Sequence, residues 1–211
     1  SVAFAALVGL TPPAEKLTAD ETVQLLDRLF SRFDALVAEY GLNKVKTIGD
    51  AYMIVGGAPE AVPDHALRVV RIGLAMLSET DLYAVECGLP LRLRVGVNSG
   101  PLVAGVIGRH RFSYDMWGDT VNVASRMESH GVEGRVQISE ATWLLVRDQI
   151  PVEERGPIEV KGKGSGESAV TVTKTQILTA LNSPEQFVLA LVVVDTNDER
   201  VEEPRYIRQP F

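Results

Sequence analysis

The 211-residue chain contains a single cysteine, Cys87, so it cannot form an internal disulfide, and its composition fits a reducing compartment. It has no run of about eighteen apolar residues and no signal-peptide pattern, so the sequence predicts no membrane-spanning helix. Basic residues number 21 against 28 acidic ones, which leaves a net charge of -7. Because nucleic-acid binding depends on clustered lysine and arginine, we expect no nucleic-acid partner.

Several catalytic signatures are also missing. The absence of a G-x-S-x-G motif, a Walker A motif and paired cysteines leaves hydrolase, P-loop and zinc-site hypotheses without support. The three histidines, His65, His110 and His130, lack the spacing of metal ligands, and we predict that they lie at the surface or in loops. No internal repeat and no low-complexity tract is present.

What remains is the composition of a globular domain, with 45% hydrophobic and 23% charged residues. The chain opens directly on an apolar strand, so we expect it to be part of a longer protein. We predict one domain over residues 1–174 and a C-terminal extension of unknown role over residues 175–211, for which a fused-domain remnant is one interpretation.

Hydrophobic periodicity predicts the order of the elements. Thr18 and Glu21 form a capping box at the start of a helix whose apolar face includes Val23, Phe30 and Phe33. The predicted strands are 1–9, 44–48, 51–55, 91–98, 103–107, 112–116 and 135–138, and the predicted helices are 18–40, 64–79, 119–128 and 139–147. This order is that of an α+β fold with a ferredoxin-like βαββαβ core and extra C-terminal helix and strands.

Two loops carry residues suited to phosphate chemistry. The hairpin at Gly49 and Asp50 presents a carboxylate, and divalent metals in phosphoryl transfer are held by carboxylates from neighbouring strands. Asp50 is equally typical of a tight turn. The backbone amides of residues 8–11 follow a strand and could cradle phosphates, although an ordinary strand-to-helix loop has the same pattern.

A second group of candidates lies further along the chain. Asn122 and Arg126 are four residues apart and share a helix face, where they offer a hydrogen bond to a sugar and a donor fork to phosphate. A solvated helix face is the alternative, and Asp119 is a candidate N-cap. Lys161 lies in a glycine-rich basic connection, which suits either a phosphate contact or a solvated turn.

Taken together, five segments resemble the catalytic domain of class III adenylyl and guanylyl cyclases, in particular bacterial membrane-anchored enzymes of the mammalian-like subgroup. The most specific are Tyr114–Ser129 and Lys46–Met53, and the others are Ser1–Thr11, Leu93–Gly108 and Glu154–Gly164. The resemblance covers about residues 1–164. It implies a cytoplasmic domain, free or as the cytosolic part of a membrane-anchored protein.

The resemblance implies a reaction in which the 3′-hydroxyl of ATP attacks the α-phosphate, giving cyclic AMP and pyrophosphate. It also implies a head-to-tail homodimer, or a heterodimer with another cyclase domain. Lys46 and Asp115 match the pair that reads adenine, and guanylyl cyclases typically carry Glu and Cys there. Asn122 would orient the ribose, Arg126 would stabilise transition-state charge, and Lys161 would contact the terminal phosphates.

The same resemblance implies a site for two divalent metals, Mg²⁺ or Mn²⁺, beside the triphosphate. Asp50 and the backbone carbonyl of Leu7 match metal ligands. The amides that would wrap the triphosphate belong to Gly9, Leu10 and Thr11. The sequence departs from the family at Ala6, which stands where the family has its first metal aspartate, so we expect impaired turnover.

Two other interpretations stay open. Because the base-reading and transition-state residues are present and only the metal side is damaged, the chain could be a non-catalytic pseudocyclase subunit that binds nucleotide or regulates an active partner. A diguanylate cyclase shares the ferredoxin-like pattern. The sequence has Gly49-Asp50-Ala51-Tyr52 in place of the Gly-Gly-acid-Glu-Phe hairpin of that class.

Overall fold

A mixed β-sheet with helices on both faces forms the centre of the computed structural model. The structure describes residues 1–9, 17–107 and 113–155 and the backbone of residues 177–180. Within these residues the main sheet has seven strands in the order β2-β3-β1-β4-β7-β9-β8, and β5 and β6 form a separate hairpin. The α+β prediction and the ferredoxin-like core are confirmed.

The elements follow one another in chain order. The strands are β1 (Val2–Val8), β2 (Asn43–Ile48), β3 (Ala51–Val55), β4 (Arg92–Asn98), β5 (Val103–Ile107), β6 (Ser113–Trp117), β7 (Arg135–Ser139), β8 (Val152–Glu154) and β9 (Ile177–Ala180). The helices are α1 (Ala19–Glu39), α2 (His65–Cys87), α3 (Asp119–Ser129) and α4 (Glu140–Val146). None of the helices in the described ranges is long and apolar enough to cross a membrane.

Helix α1 begins where the capping box predicts. The Thr18 hydroxyl accepts a hydrogen bond from the Glu21 amide at 3.2 Å, and the Glu21 carboxylate accepts one from the Thr18 amide at 2.7 Å. The prediction that Val23 belongs to the buried face is wrong, since Val23 is 64% exposed. The buried stripe starts two residues later, at Leu25, and continues to Val37.

Other boundaries also differ from the prediction. Helix α2 continues to Cys87, two turns beyond the predicted end at residue 79, because Thr80 and Tyr83 keep its apolar face buried. Gly118 is the N-cap of α3 and Asp119 is its first residue, so the Asp119 cap is not formed. Segment Ile177–Ala180 pairs with β7 and β8 as an added strand.

The central strand β1 separates two hydrophobic clusters. Its odd-numbered residues, Ala3, Ala5 and Leu7, join α1 and α2 in the larger cluster. Val2 and Phe4 point to the opposite face, where they meet Met116 of β6 and Ala124 of α3. Because side chains alternate along a strand, Ala6 lies on the second face, beneath α3 and the β5–β6 hairpin. This second face carries the candidate site.

Helix α3 lies directly on the backbone of β4. A methyl group added at Gly96 would stand 1.9 Å from the amide nitrogen of Glu128 and 2.4 Å from the carbonyl carbon of Met127. Such distances are far inside van der Waals contact, so only glycine allows this approach. The position of Asn122 and Arg126 above the sheet therefore depends on Gly96.

Replacing Gly96 with alanine is expected to lower the free energy of unfolding by about 3 kcal/mol, since the added methyl group must push α3 off the sheet. Urea unfolding would measure the change. Gly105→Ala is the matched control, because its methyl group would meet the Trp117 ring at an ordinary 3.5 Å. Equal stability of the two variants would contradict the close approach of α3.

Candidate functional site

A lysine and an aspartate that are 69 residues apart in the chain form an ion pair on the second face of the sheet. The Lys46 ammonium on β2 lies 2.5 Å from the Oδ2 atom of Asp115 on β6. The other oxygen, Oδ1, accepts a hydrogen bond from the Met116 amide at 2.8 Å. The hydrogen bond from Lys46, with that from Met116, holds the pKa of Asp115 below its usual value. The carboxylate is therefore ionised and oriented.

A β-bulge in β2 decides which way Lys46 points. Lys44 is paired with Ile54 on β3, and the next paired residue, Lys46, is opposite Met53, so Val45 is the extra residue. Ile54 belongs to the larger cluster and Met53 to the smaller one. A regular strand would put both lysines on one face, but the bulge reverses the alternation and turns Lys46 toward Asp115.

Lys44 confirms this reversal from the other face. Its ammonium lies 2.7 Å from the Asp34 carboxylate on α1, and it stands over the ring of Tyr52. The Tyr52 hydroxyl also donates to Asp34, and burial together with this hydrogen bond raises the pKa of Tyr52. The alternation of residues 44–48 predicts a regular strand, and no local signal marked the bulge.

Asn122 and Arg126 lie on the outer side of α3. The buried side of the helix consists of Thr120, Ala124, Met127 and Glu128. Within the described part of the chain, neither the Asn122 amide group nor the Arg126 guanidinium makes a side-chain hydrogen bond or an ion pair. The two side chains thus share the side of α3 that is turned away from the sheet, as their four-residue spacing predicts.

The metal side of the predicted site lies at the end of β1. The Leu7 amide donates a hydrogen bond to the backbone carbonyl of Asp50 at 3.3 Å, so the β2–β3 turn is adjacent to this strand end. Ala6 is 7% exposed, and it is paired with Ala51 on one side and Arg94 on the other. The Asp50 side chain is exposed. A carboxylate at position 6 would therefore lie beside Asp50.

Gly9 is the last described residue of the predicted phosphate loop, residues 8–11. Its φ angle is +83°, and a methyl group there would meet the carbonyl oxygen of Pro90 at 2.6 Å. Both features restrict the position to glycine. Leu10, Thr11 and Lys161 lie outside the described residues, so their assignments remain predictions.

Comparison of the sequence with known protein families agrees with this fold. The profile of the family described as "Adenylate and Guanylate cyclase catalytic domain" matches residues 1–177. The chain belongs to this family of cyclase catalytic domains.

Relatives of this cyclase domain include both nucleotide classes. An adenylate cyclase of Mycobacterium tuberculosis is 46% identical over 164 residues, and a membrane guanylyl cyclase of Dictyostelium discoideum is 40% identical over 164 residues. The matches cover 78% of the chain but only 37% and 11% of these relatives. The crystal structure of the adenylyl cyclase CyaB from P. aeruginosa is similar, with 29% identity and a TM-score of 0.76, over 86% of this chain and 93% of that one.

The predicted metal ligands of this cyclase domain suit a single hard cation better than two. Asp50 would supply one carboxylate and the Leu7 carbonyl one neutral oxygen, both of the oxygen type that Mg²⁺ and Mn²⁺ prefer. No group of three or more His, Cys, Asp or Glu side chains that could hold a metal occurs among the described residues. Position 6, where the resemblance predicts a metal aspartate, carries no carboxylate in this chain.

One histidine differs from the prediction for the cyclase domain. His65 is half-buried at the start of α2, and its Nδ1 atom lies 2.8 Å from the Ser1 hydroxyl. Burial lowers the pKa of His65. His130 is exposed at the end of α3, as predicted, and His110 lies outside the described residues.

Proposed function

We propose that this cyclase domain converts ATP to 3′,5′-cyclic AMP and pyrophosphate, and that Ala6 impairs its turnover. The observation that carries the choice of ATP is the ion pair of Lys46 and Asp115 within one chain. The lysine can donate a hydrogen bond to adenine N1 while the aspartate accepts one from the 6-amino group. Guanine presents a donor and an acceptor in the reverse order at these atoms, so both contacts would be unfavourable.

The remaining residues act on the sugar and the phosphates. Asn122 hydrogen-bonds a ribose oxygen and so orients the 3′-hydroxyl toward the α-phosphorus. The 3′-oxygen loses its proton to solvent and forms a bond to the α-phosphorus, while the bond from that phosphorus to the bridging oxygen breaks and pyrophosphate leaves. Arg126 donates hydrogen bonds to the phosphoryl oxygens, on which negative charge accumulates. A divalent cation bound at Asp50 would supply additional positive charge beside the same oxygens.

Exposed apolar side chains support the proposal that two chains are required. On β5, Val103 is 67% exposed, Val106 is 61% exposed and Ile107 is 59% exposed. Strand β5 belongs to the hairpin that also carries Asp115 on β6. Such a group of apolar side chains is typical of a protein–protein contact, which fits a head-to-tail dimer built around this hairpin.

The direct test is the production of cyclic nucleotides from ATP and from GTP with Mn²⁺, for the chain as it is and for Ala6→Asp. We expect cyclic AMP to be the main product and Ala6→Asp to be the faster protein. A preference for GTP in both proteins would contradict the proposed role of Lys46 and Asp115.

Replacing both residues of the base-reading pair is expected to change the preference for ATP over GTP. In the Ala6→Asp chain, Lys46→Glu with Asp115→Cys should shift the ratio of kcat/KM for ATP to that for GTP by about 30-fold toward GTP, because two base contacts are reversed. Lys44→Glu is the matched control, since the bulge directs Lys44 to the other face. An unchanged ratio in the double variant would contradict the assignment.

The alternative function is that of a non-catalytic subunit which binds nucleotide and dimerises with an active cyclase. The specific observation in its favour is the small, buried Ala6 beside an otherwise complete set of base, sugar and phosphate residues. Under this alternative the original chain would bind ATP but would form no cyclic AMP by itself at any Mn²⁺ concentration.

A further inference from the structure

Helix α3 is held to β4 by polar contacts at both of its ends. The side-chain amide of Asn98 donates to the Thr120 carbonyl at 3.0 Å, near the start of the helix. Near its end, the Arg94 guanidinium contacts the Glu128 Oε1 atom through Nε and through Nη2, each at 2.8 Å. Gly96 lies between these two contacts and allows the helix to touch the strand.

The lengths of the two elements match this arrangement. From Asn98 to Arg94 a strand advances about 13 Å, and from Thr120 to Glu128 a helix advances about 12 Å. Asn122 and Arg126 therefore stand on a helix that is fixed to the sheet at two points. The second point is an ion pair, and its cationic member lies beside the metal side of the site.

Arg94 is the neighbour of position 6 on β4, and both face α3. The aliphatic part of the Arg94 side chain packs beside the C-terminal end of α3, where a methyl group added at Gly131 would meet the Arg94 Cγ atom at 2.8 Å. Strands β3 and β4 flank β1, and Ala6 is paired with Ala51 on one side and Arg94 on the other. The Cα atoms of Ala51, which directly follows Asp50, and of Arg94 are therefore about 10 Å apart across the sheet. With alanine at position 6, only a methyl group stands on β1 between them.

The surroundings of Glu128 show that the two acidic groups share one electrostatic environment. Burial raises the pKa of Glu128, the hydrogen bond and charge of Arg94 oppose this rise, and the charge of Asp50 adds to it. A buried ion pair that loses one member leaves the other charge uncompensated. Without Glu128, the Arg94 guanidinium would be free to turn toward Asp50, whose charge already acts on Glu128.

We propose that Glu128 is a positioning residue that holds the Arg94 guanidinium against α3 and so keeps its positive charge away from Asp50 and position 6. The proposal rests on the proposed function, because it assumes that a divalent cation binds at Asp50. It assigns to Glu128 no contact with the substrate. Its effect is exerted through Arg94, on the affinity of the site for a cation.

The test measures Mn²⁺ binding by the electron paramagnetic resonance signal of free Mn²⁺, without nucleotide. Ala6→Asp is the reference protein, since its second carboxylate makes binding measurable with the metal alone. Glu128→Gln, which keeps the size of the side chain and an acceptor for Arg94, is expected to bind Mn²⁺ about tenfold more weakly, because a freed guanidinium would repel the cation. Adding Arg94→Gln to this variant should restore the affinity to about that of the reference.

The restored affinity separates electrostatic positioning from a structural effect. If Glu128 only stabilised the fold, removing Arg94 as well would leave Mn²⁺ binding as weak or weaker. Glu86→Gln, which breaks an exposed ion pair with Arg32, is the matched control and should bind as the reference does. Thermal unfolding of each variant records any loss of stability separately from the metal affinity.

Each outcome decides between the proposals. Weaker binding in Glu128→Gln together with recovery in the double variant supports the positioning role. An affinity like that of the reference in Glu128→Gln, or no recovery in the double variant, overturns it. If Asp50→Asn in the same reference protein leaves Mn²⁺ binding unchanged, the metal site itself is misassigned, and the proposed function fails with it.

Discussion

Replacing Ala6 with aspartate is expected to raise kcat for cyclic AMP formation by about 10³-fold with Mn²⁺, since each 1.36 kcal/mol of barrier is tenfold in rate and a metal ligand contributes several kcal/mol. The new carboxylate would lie beside Asp50, because Ala6 is paired with Ala51 on β3 and the β2–β3 turn is hydrogen-bonded to Leu7. Initial rates of product formation from ATP would measure the effect.

The matched control for this change is Ala6→Asn, which has the shape of aspartate without its charge. It should leave the rate near that of the original chain. Ala6→Asp should also be less stable than the original chain in the absence of metal, since position 6 is buried, and should regain stability when Mn²⁺ is added. Similar rates for the aspartate and asparagine variants at saturating Mn²⁺ would show that position 6 does not hold a metal.

Mixing two damaged chains is expected to produce an active enzyme. The first is Ala6→Asp with Arg126→Ala, which has the metal carboxylates but should lose about 10²- to 10³-fold in kcat with the donor fork that stabilises transition-state charge. The second is the original chain, which has Arg126 and lacks the carboxylate. A head-to-tail dimer of one of each would contain one site with every residue.

The size of this recovery can be estimated. If the chains exchange at random, roughly a quarter of the sites in an equal mixture are complete, so the rate should exceed that of either chain alone by about 10²-fold. Arg71→Ala in the Ala6→Asp chain is the control, because Arg71 is exposed on α2. That variant should be active by itself. A mixture no faster than the average of its parts would contradict a site shared between chains.

Local pattern predicts much of this fold because some signals depend only on neighbouring residues. The capping box of Thr18 and Glu21, the turn at Gly49 and the alternation in β4 are all found where expected. The predicted positions of the helix ends are less accurate. Helix α2 runs to Cys87 because burial of Thr80 and Tyr83 against the rest of the protein extends it, and this packing is invisible to a single-segment pattern.

The candidate site was predicted residue by residue, but its arrangement was not. The spacing of Asn122 and Arg126 predicts a shared helix face, and the structure has both on the outer side of α3. Lys46 reaches Asp115 only because of the bulge at Val45, which reverses the alternation of β2. Arg94 on β4 and Glu128 on α3 are 34 residues apart, and no pattern in either segment predicts their ion pair.

The sequence by itself therefore determined the order of strands and helices, the family, and the absence of a carboxylate at position 6. These follow from residue types and short spacings, which backbone geometry links to the structure of one segment at a time. The tertiary structure alone decided that Lys46 faces Asp115, that α3 rests on Gly96, and that Arg94 borders position 6. Such relations depend on the register between strands distant in sequence, and a shift of one residue would turn each of these side chains to the other face.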